Sequence, residues 1–205
     1  MISNKPVVYM AGRMGMPVDN KIPGGENSCW RIFDISQTNG EGFFDLMSSR
    51  IIALAPEPDS RFFEGTNVSF LYSGPWKAMG SYHGYIHGVT SSTSHDMADA
   101  SFNGALKCIL RSDVFVAYID DLEAHGTLVE LGFAKANNKR IIIVTSSSTR
   151  DGLQELEEVL WFAIKTADKH ISIDLNREND NLARWKKAHK EIANIIGRWY
   201  PSSII

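Results

Sequence analysis

The 205-residue chain holds only two cysteines, Cys29 and Cys108. They are far apart and match no metal-binding or redox spacing, which sets aside disulfide scaffolds and zinc ribbons. No apolar run approaches the roughly 18 residues needed to span a membrane. Basic residues are not in surplus: Lys and Arg number 21 against 24 Asp and Glu, for a net charge of −3. The sequence therefore lacks the electrostatic footprint of a protein that binds nucleic acid or an anionic membrane. There is no H-E-x-x-H. His83, His87, His95 and His125 have no acidic partner at ligand spacing, and Gly84 and Gly88 argue against a helix presenting His83 and His87 together. Neither metal nor cofactor is expected. The N-terminus enters a strand within a few residues, so no leader is expected and a reduced, cytoplasmic setting follows. Internal repeats and low-complexity segments are absent.

What is present is ordinary for a soluble globular protein: 43% hydrophobic and 22% charged residues. The length suits one domain spanning residues 1–205, with loop insertions at about 13–27 and 73–94. A small-molecule ligand is the expected partner. The chain is organised around residues 112–145. Residues 114–119 are a buried strand, Asp120, Asp121 and Glu123 form an acidic loop, and Gly126 and Thr127 open a helix. Asn137 and Asn138 end that helix, and residues 140–145 are the next strand. Strand, helix and strand have the size of a right-handed parallel crossover.

Around this unit the spacing predicts strands at 6–11 and 67–72 and short helices at 28–36 and 43–53. It also predicts a helix at 95–112 capped by Ser94, and loops at 13–27, 56–65 and 73–94. One amphipathic helix is predicted over 151–169, a short edge strand at 171–173, and a last helix at 178–200 stopped by Pro201. Alternating strands and helices define an α/β fold: a doubly wound parallel sheet with flavodoxin-like order and helices on both faces. Ligands of such sheets sit at the carboxyl ends of the strands, where the acidic loop and Glu130 lie.

Glu130 is the leading catalytic candidate. A carboxylate in the first turn of a helix is held ionised by the helix dipole, which suits a nucleophile. The same spacing, Thr127-x-x-Glu130, is also that of a capping box, in which Glu130 only bonds backbone. Asp121, and behind it Asp120 and Glu123, are candidates for a proton donor, or are simply a solvated loop. Asp96, Asp99 and Asn103 share one helical face and are either sugar contacts or an exposed polar stripe. Gly12 permits close approach of backbone to a ligand, or only a turn. His83 or His87 is a candidate contact to a base or phosphate. Residues 146–150, hydroxyl-rich and ending in Arg150, are a candidate phosphate loop. Trp76 and Trp161 suit base stacking or core packing.

The run from Gly126 and Thr127 to Glu130, Leu131 and Gly132 resembles the nucleoside 2-deoxyribosyltransferase family, which carries a strand, an acidic loop, Gly-Thr and then Glu-Leu-Gly. Residues 7–12, VVYMAG, look like that family's first strand, and residues 72–76, YSGPW, look like a segment found in part of it. The resemblance implies the same doubly wound fold. It also implies a Glu130 nucleophile acting through a covalent deoxyribosyl-enzyme, with Tyr9 beside it to orient the carboxylate. The family often has an Asp where this chain has Ala124, so the proton-donor role is shifted or lost.

The function expected is therefore cleavage or transfer of the N-glycosidic bond of a (deoxy)nucleoside or its 5′-monophosphate. The competing readings are an NAD-cleaving glycohydrolase and a nucleotide-sensing module without turnover. Family members commonly assemble into oligomers, so a homo-oligomer is expected, and residues 198–205 (RWYPSSII) end on apolar residues suited to an interface.

Overall fold

A computed structural model describes residues 6–12, 70–74, 95–174 and 181–201. The strands are β1 (Val7–Gly12), β2 (Leu71–Gly74), β3 (Val114–Ile119), β4 (Arg140–Ser147) and β5 (Lys169–Asp174). The helices are α1 (His95–Arg111), α2 (His125–Ala136), α3 (Arg150–Val159), α4 (Trp161–Thr166) and α5 (Asn181–Trp199). The strands form one five-stranded sheet of order β2-β1-β3-β4-β5, every neighbouring pair parallel. This is the expected flavodoxin-like order.

β3 reads VFVAYI and is buried at all six positions, because a central strand of a parallel sheet is covered on both faces. Period-two alternation sends its residues to two different cores. Val114, Val116 and Tyr118 join Val8, Met10, Ile142, Val144, Ile171 and Ile173 against Trp185, Ala188, Ile192 and Ile196 of α5. Phe115, Ala117 and Ile119 join Tyr9, Ala11, Ile141 and Ile143 under α1, α2 and α3, which contribute Ile109, Leu131 and Leu156. Each fully buried Ile stabilises by about 1.5–3 kcal/mol, so the two layers share the central strands as a common floor.

Several boundaries differ from those the sequence suggests. β1 runs one residue further, to Gly12, and β2 starts later and includes residues 73 and 74, which had been expected to open a loop. Residues 67–69, like 13–69 as a whole, lie outside the described residues. So do 75–94 and 178–180, which take with them the two short helices, the loop insertions and the Ser94 cap. β4 extends through Ser147. The helix expected over 151–169 is two helices, broken at Leu160. The Leu160 amide bonds back to Leu156, while its carbonyl accepts from Ile164, with a ψ of 9° that turns the chain between them. β5 has six residues in unbroken register with β4 rather than three.

Helix ends follow local chemistry. Asn138 takes a φ of 55°, and Lys139 N–H bonds to the Ala134 carbonyl at 3.1 Å, closing α2 through a left-handed residue. Thr149 caps α3, its hydroxyl accepting from Gly152 N–H at 3.1 Å. At the amino ends of the strands, Arg140 stacks over Trp199 and Tyr200 at 5.1 and 5.6 Å and pins the end of α5. Among the described residues, no helix is long and apolar enough to cross a membrane.

Candidate active site

Tyr9 lies on β1 with its side chain fully buried on the face under α1 and α2. Its in-register partner on β3 is Phe115, and the two rings stack 5.7 Å apart at 10°. That stack aims the phenol outward, toward α2. There the Tyr9 hydroxyl donates to Glu130 Oε1 at 2.6 Å, a short, charge-assisted bond. Tyr9 and Glu130 are therefore brought together.

The local setting of Glu130 corrects two expectations. The residue preceding α2 is Ala124, at φ −72° and ψ 35°, with no side-chain cap bond and no acidic residue in the first turn. Thr127 is the third helical residue and is buried. A capping box requires the Thr at the cap and the Glu three residues on; Glu130 instead sits in the second turn, so the capping reading fails. The dipole argument falls with it, because that field decays within the first turn. Glu130 is half-buried and is held by the phenol. The helix starts at His125, one residue before the expected Gly126.

The acidic loop is tied up locally. Asp121, half-buried, accepts from Glu123 N–H at 2.9 Å, and His125 N–H bonds to the Glu123 carbonyl at 2.8 Å. This Asx turn is what delivers the chain into α2. Asp120 is exposed. Burial raises the Tyr118 hydroxyl to about 12, and the Asp120 charge adds to the rise. Since Tyr118 packs on the α5 face, Asp120 acts across the sheet from the Tyr9–Glu130 pair.

Gly12 closes β1 at φ 153°, an angle L side chains rarely adopt, beside Tyr118 of β3 at the carboxyl end of the sheet. Gly126 is exposed, and a Cβ there would meet nothing within 4 Å; the same holds for Gly132. Packing among the described residues therefore does not require either glycine. Asn103 is exposed on α1. Asp96 and Asp99 lie on the same helix, but their side chains fall outside the described residues, as do His83, His87 and Trp76 entirely. Asp113 belongs to the opposite end of the sheet, where its carboxylate accepts from Val7 N–H at 2.8 Å.

The loop after β4 is committed to structure. Ser147 accepts from Thr149 N–H, and Thr149 caps α3, so both oxygens already accept a backbone bond while their O–H donors are not used by these contacts. Trp161 is 60% exposed and belongs to neither core. Among the described residues no group of three His, Cys, Asp or Glu side chains could hold a metal ion.

Two neighbours of the pair were not singled out from sequence. One is Phe115, whose stacking on Tyr9 is visible only once strand register is known. The other is Cys108, on α1. Burial pushes its thiol up to about 12, with Arg111 opposing and the Glu130 charge adding to the rise. A buried thiol thus lies within electrostatic range of the carboxylate, and an aromatic ring backs the phenol that holds it. Comparisons with protein-family models, with curated proteins and with solved structures gave no match to this chain.

Proposed function

We propose that this protein is a nucleoside 2-deoxyribosyltransferase-like enzyme that cleaves or transfers the N-glycosidic bond of a (deoxy)nucleoside or its 5′-monophosphate. The observation carrying this reading is the 2.6 Å hydrogen bond from Tyr9 to Glu130. A phenol that fixes one carboxylate oxygen orients the group for attack on a sugar carbon. In the first half-reaction a Glu130 oxygen bonds to C1′ as the C1′–N bond breaks and the base leaves with the bonding pair. An acid or water protonates the base. In the second, a new base or water attacks C1′, the glycosyl ester breaks, and the carboxylate is regenerated. Asp121, whose Oδ1 accepts from Glu123 N–H at 2.9 Å, is the acidic candidate for proton transfer.

A nucleotide-sensing module is the competing reading. Its support is the occupied Asp121 together with Ala124 at the position where the family often has Asp. Glu130→Gln decides between them. A nucleophile tolerates no amide, so base release should fall by several orders of magnitude at near-parental melting temperature. A 2-fluoro nucleoside analogue should also leave a glycosyl adduct on Glu130 of the parent protein. A parent chain that binds nucleotides but releases no base from nucleosides, 5′-monophosphates or NAD belongs to the sensing class.

A further inference from the structure

One stretch of the chain accounts for all of its net charge. Residues 150–174 hold six Asp and Glu against three Arg and Lys, a net of −3, and the full chain is also −3. The remaining residues are therefore balanced. Much of this acid faces water: Asp151, Glu155 and Glu158 of α3 are exposed.

Apolar surface lies open in the same stretch. Val159, Trp161 and Phe162, where α3 gives way to α4, are 58%, 60% and 70% exposed and belong to neither core. Trp161 and Phe162 meet edge to face at 5.5 Å. Single exposed apolar residues are routine, but three neighbours left in water mark an interaction surface. Trp161 also walls a cleft of about 500 Å³ over Leu153, which Glu157, Glu158 and Asp174 make acidic. Glu157 is held in place there, its Oε1 accepting from the buried Thr145 hydroxyl at 2.6 Å. Glu158 Oε1 accepts from Gln154 at 2.8 Å. A carboxylate has about four acceptor sites, so both keep capacity for an incoming donor. Arg150 lines the cleft where α3 begins, and Lys165 ends α4. The acid is thus concentrated between them, next to the indole.

We propose that this face of α3 and α4 docks a basic amphipathic helix from a partner protein. The apolar stripe of that helix covers Val159, Trp161 and Phe162. An Arg beside the stripe lies over the indole, its guanidinium bonded to Glu157 and Glu158. Charge complementarity selects this occupant. A second copy of the chain would bring the same acidic face against this one, and nucleic acid or anionic lipid would be repelled. The surface offers side chains rather than backbone groups, which suits a helix, whose own backbone is already satisfied. Trp and Arg are also the residue types that most often anchor an interface. The surface lies on α3 and α4 and the Tyr9–Glu130 pair on β1 and α2, so this inference stands whatever the chain catalyses.

The test titrates the full chain into a fluorescently labelled, capped peptide in which Leu recurs at helical spacing and Arg fills the flanking positions. Anisotropy should show saturable binding with a Kd of about micromolar order at about 0.15 M salt. The same pattern with Glu in place of Arg should not bind, and an Arg-Ser peptide without Leu should bind at least about tenfold more weakly. Trp161→Ala and Glu158→Lys should each weaken binding at least about tenfold, whereas Glu191→Gln on α5 should leave it unchanged. Trp161 and Glu158 are both exposed, so melting temperatures should match the parent's. On the parent, a photo-reactive residue in the Leu stripe should cross-link within residues 159–162. Absence of saturable binding overturns the proposal. So does binding that both substitutions leave intact, or a cross-link elsewhere on the chain. Displacement of the peptide by spermidine at equal charge concentration would assign the cleft to small amines and overturn it as well.

Discussion

The Tyr9 hydroxyl and Glu130 Oε1 lie 2.6 Å apart although 121 residues separate them in the chain. The first strand thus reaches into the second turn of α2, and Phe115 holds the ring in line.

Removing only that hydroxyl isolates its role. Tyr9→Phe keeps the stack on Phe115 and loses the bond to Glu130. Base release should fall at least about tenfold, while stability should change by about 1–3 kcal/mol, the range for a bond to a charged group. Steady-state kinetics beside a denaturant melt measure both. An unchanged turnover would remove Tyr9 from the site.

Attack at C1′ develops oxocarbenium character, which a 2′-hydroxyl destabilises inductively. Deoxyribonucleosides should therefore react faster than ribonucleosides. Chromatographic release of adenine from deoxyadenosine and adenosine, run side by side, checks this. A preference for ribose, or for NAD, would point to the glycohydrolase reading.

Acid should weaken the β4–β5–α3 corner. Thr145, fully buried, donates to Glu157 at 2.6 Å and lies 2.8 Å from His170 Nε2. Burial lowers the His170 pKa from its ordinary 6.5, and the Glu157 charge opposes the shift. The folded state then binds fewer protons than the unfolded chain, so stability rises with pH. The contribution is complete above 6.5 and is lost as the pH falls through the folded value. His170→Gln should flatten this acid limb in urea melts taken between neutral and mildly acidic pH. A parallel limb in the variant would assign the loss to other groups.

Asn138 tests the turn that ends α2. At φ 55° Gly is unstrained, Asn and Asp are tolerated, and other side chains are strained. Asn138→Gly should be close to neutral, and Asn138→Val should cost about 1–2 kcal/mol, read from the urea midpoint.

The architecture was legible because β3 and β4 are continuous apolar runs separated by one helix, a pattern with few topological solutions. The break at Leu160 was not. Leu153, Leu156, Leu160 and Ile164 keep a helical stripe straight through it, and only backbone geometry interrupts them. β5 was underestimated because its alternation of Lys, His, Ser and Asp with isoleucine makes half of it read as loop. Thr127 and Glu130 looked like a cap because an alanine at the true cap leaves no mark on the sequence. Tyr9 entered only by resemblance, and Phe115 had no signal at all until register set it against Tyr9.

β1 leads the described strands in sequence order yet lies inside the sheet, between β2 and β3. A folding intermediate built from β3, α2 and β4 would hold Glu130 without its phenol. The long separation in sequence between β1 and β3 makes their pairing costly to close, and such contacts tend to form late. Catalytic competence would then report the final closure of the chain. In a refolding experiment the onset of activity should trail the recovery of helical signal.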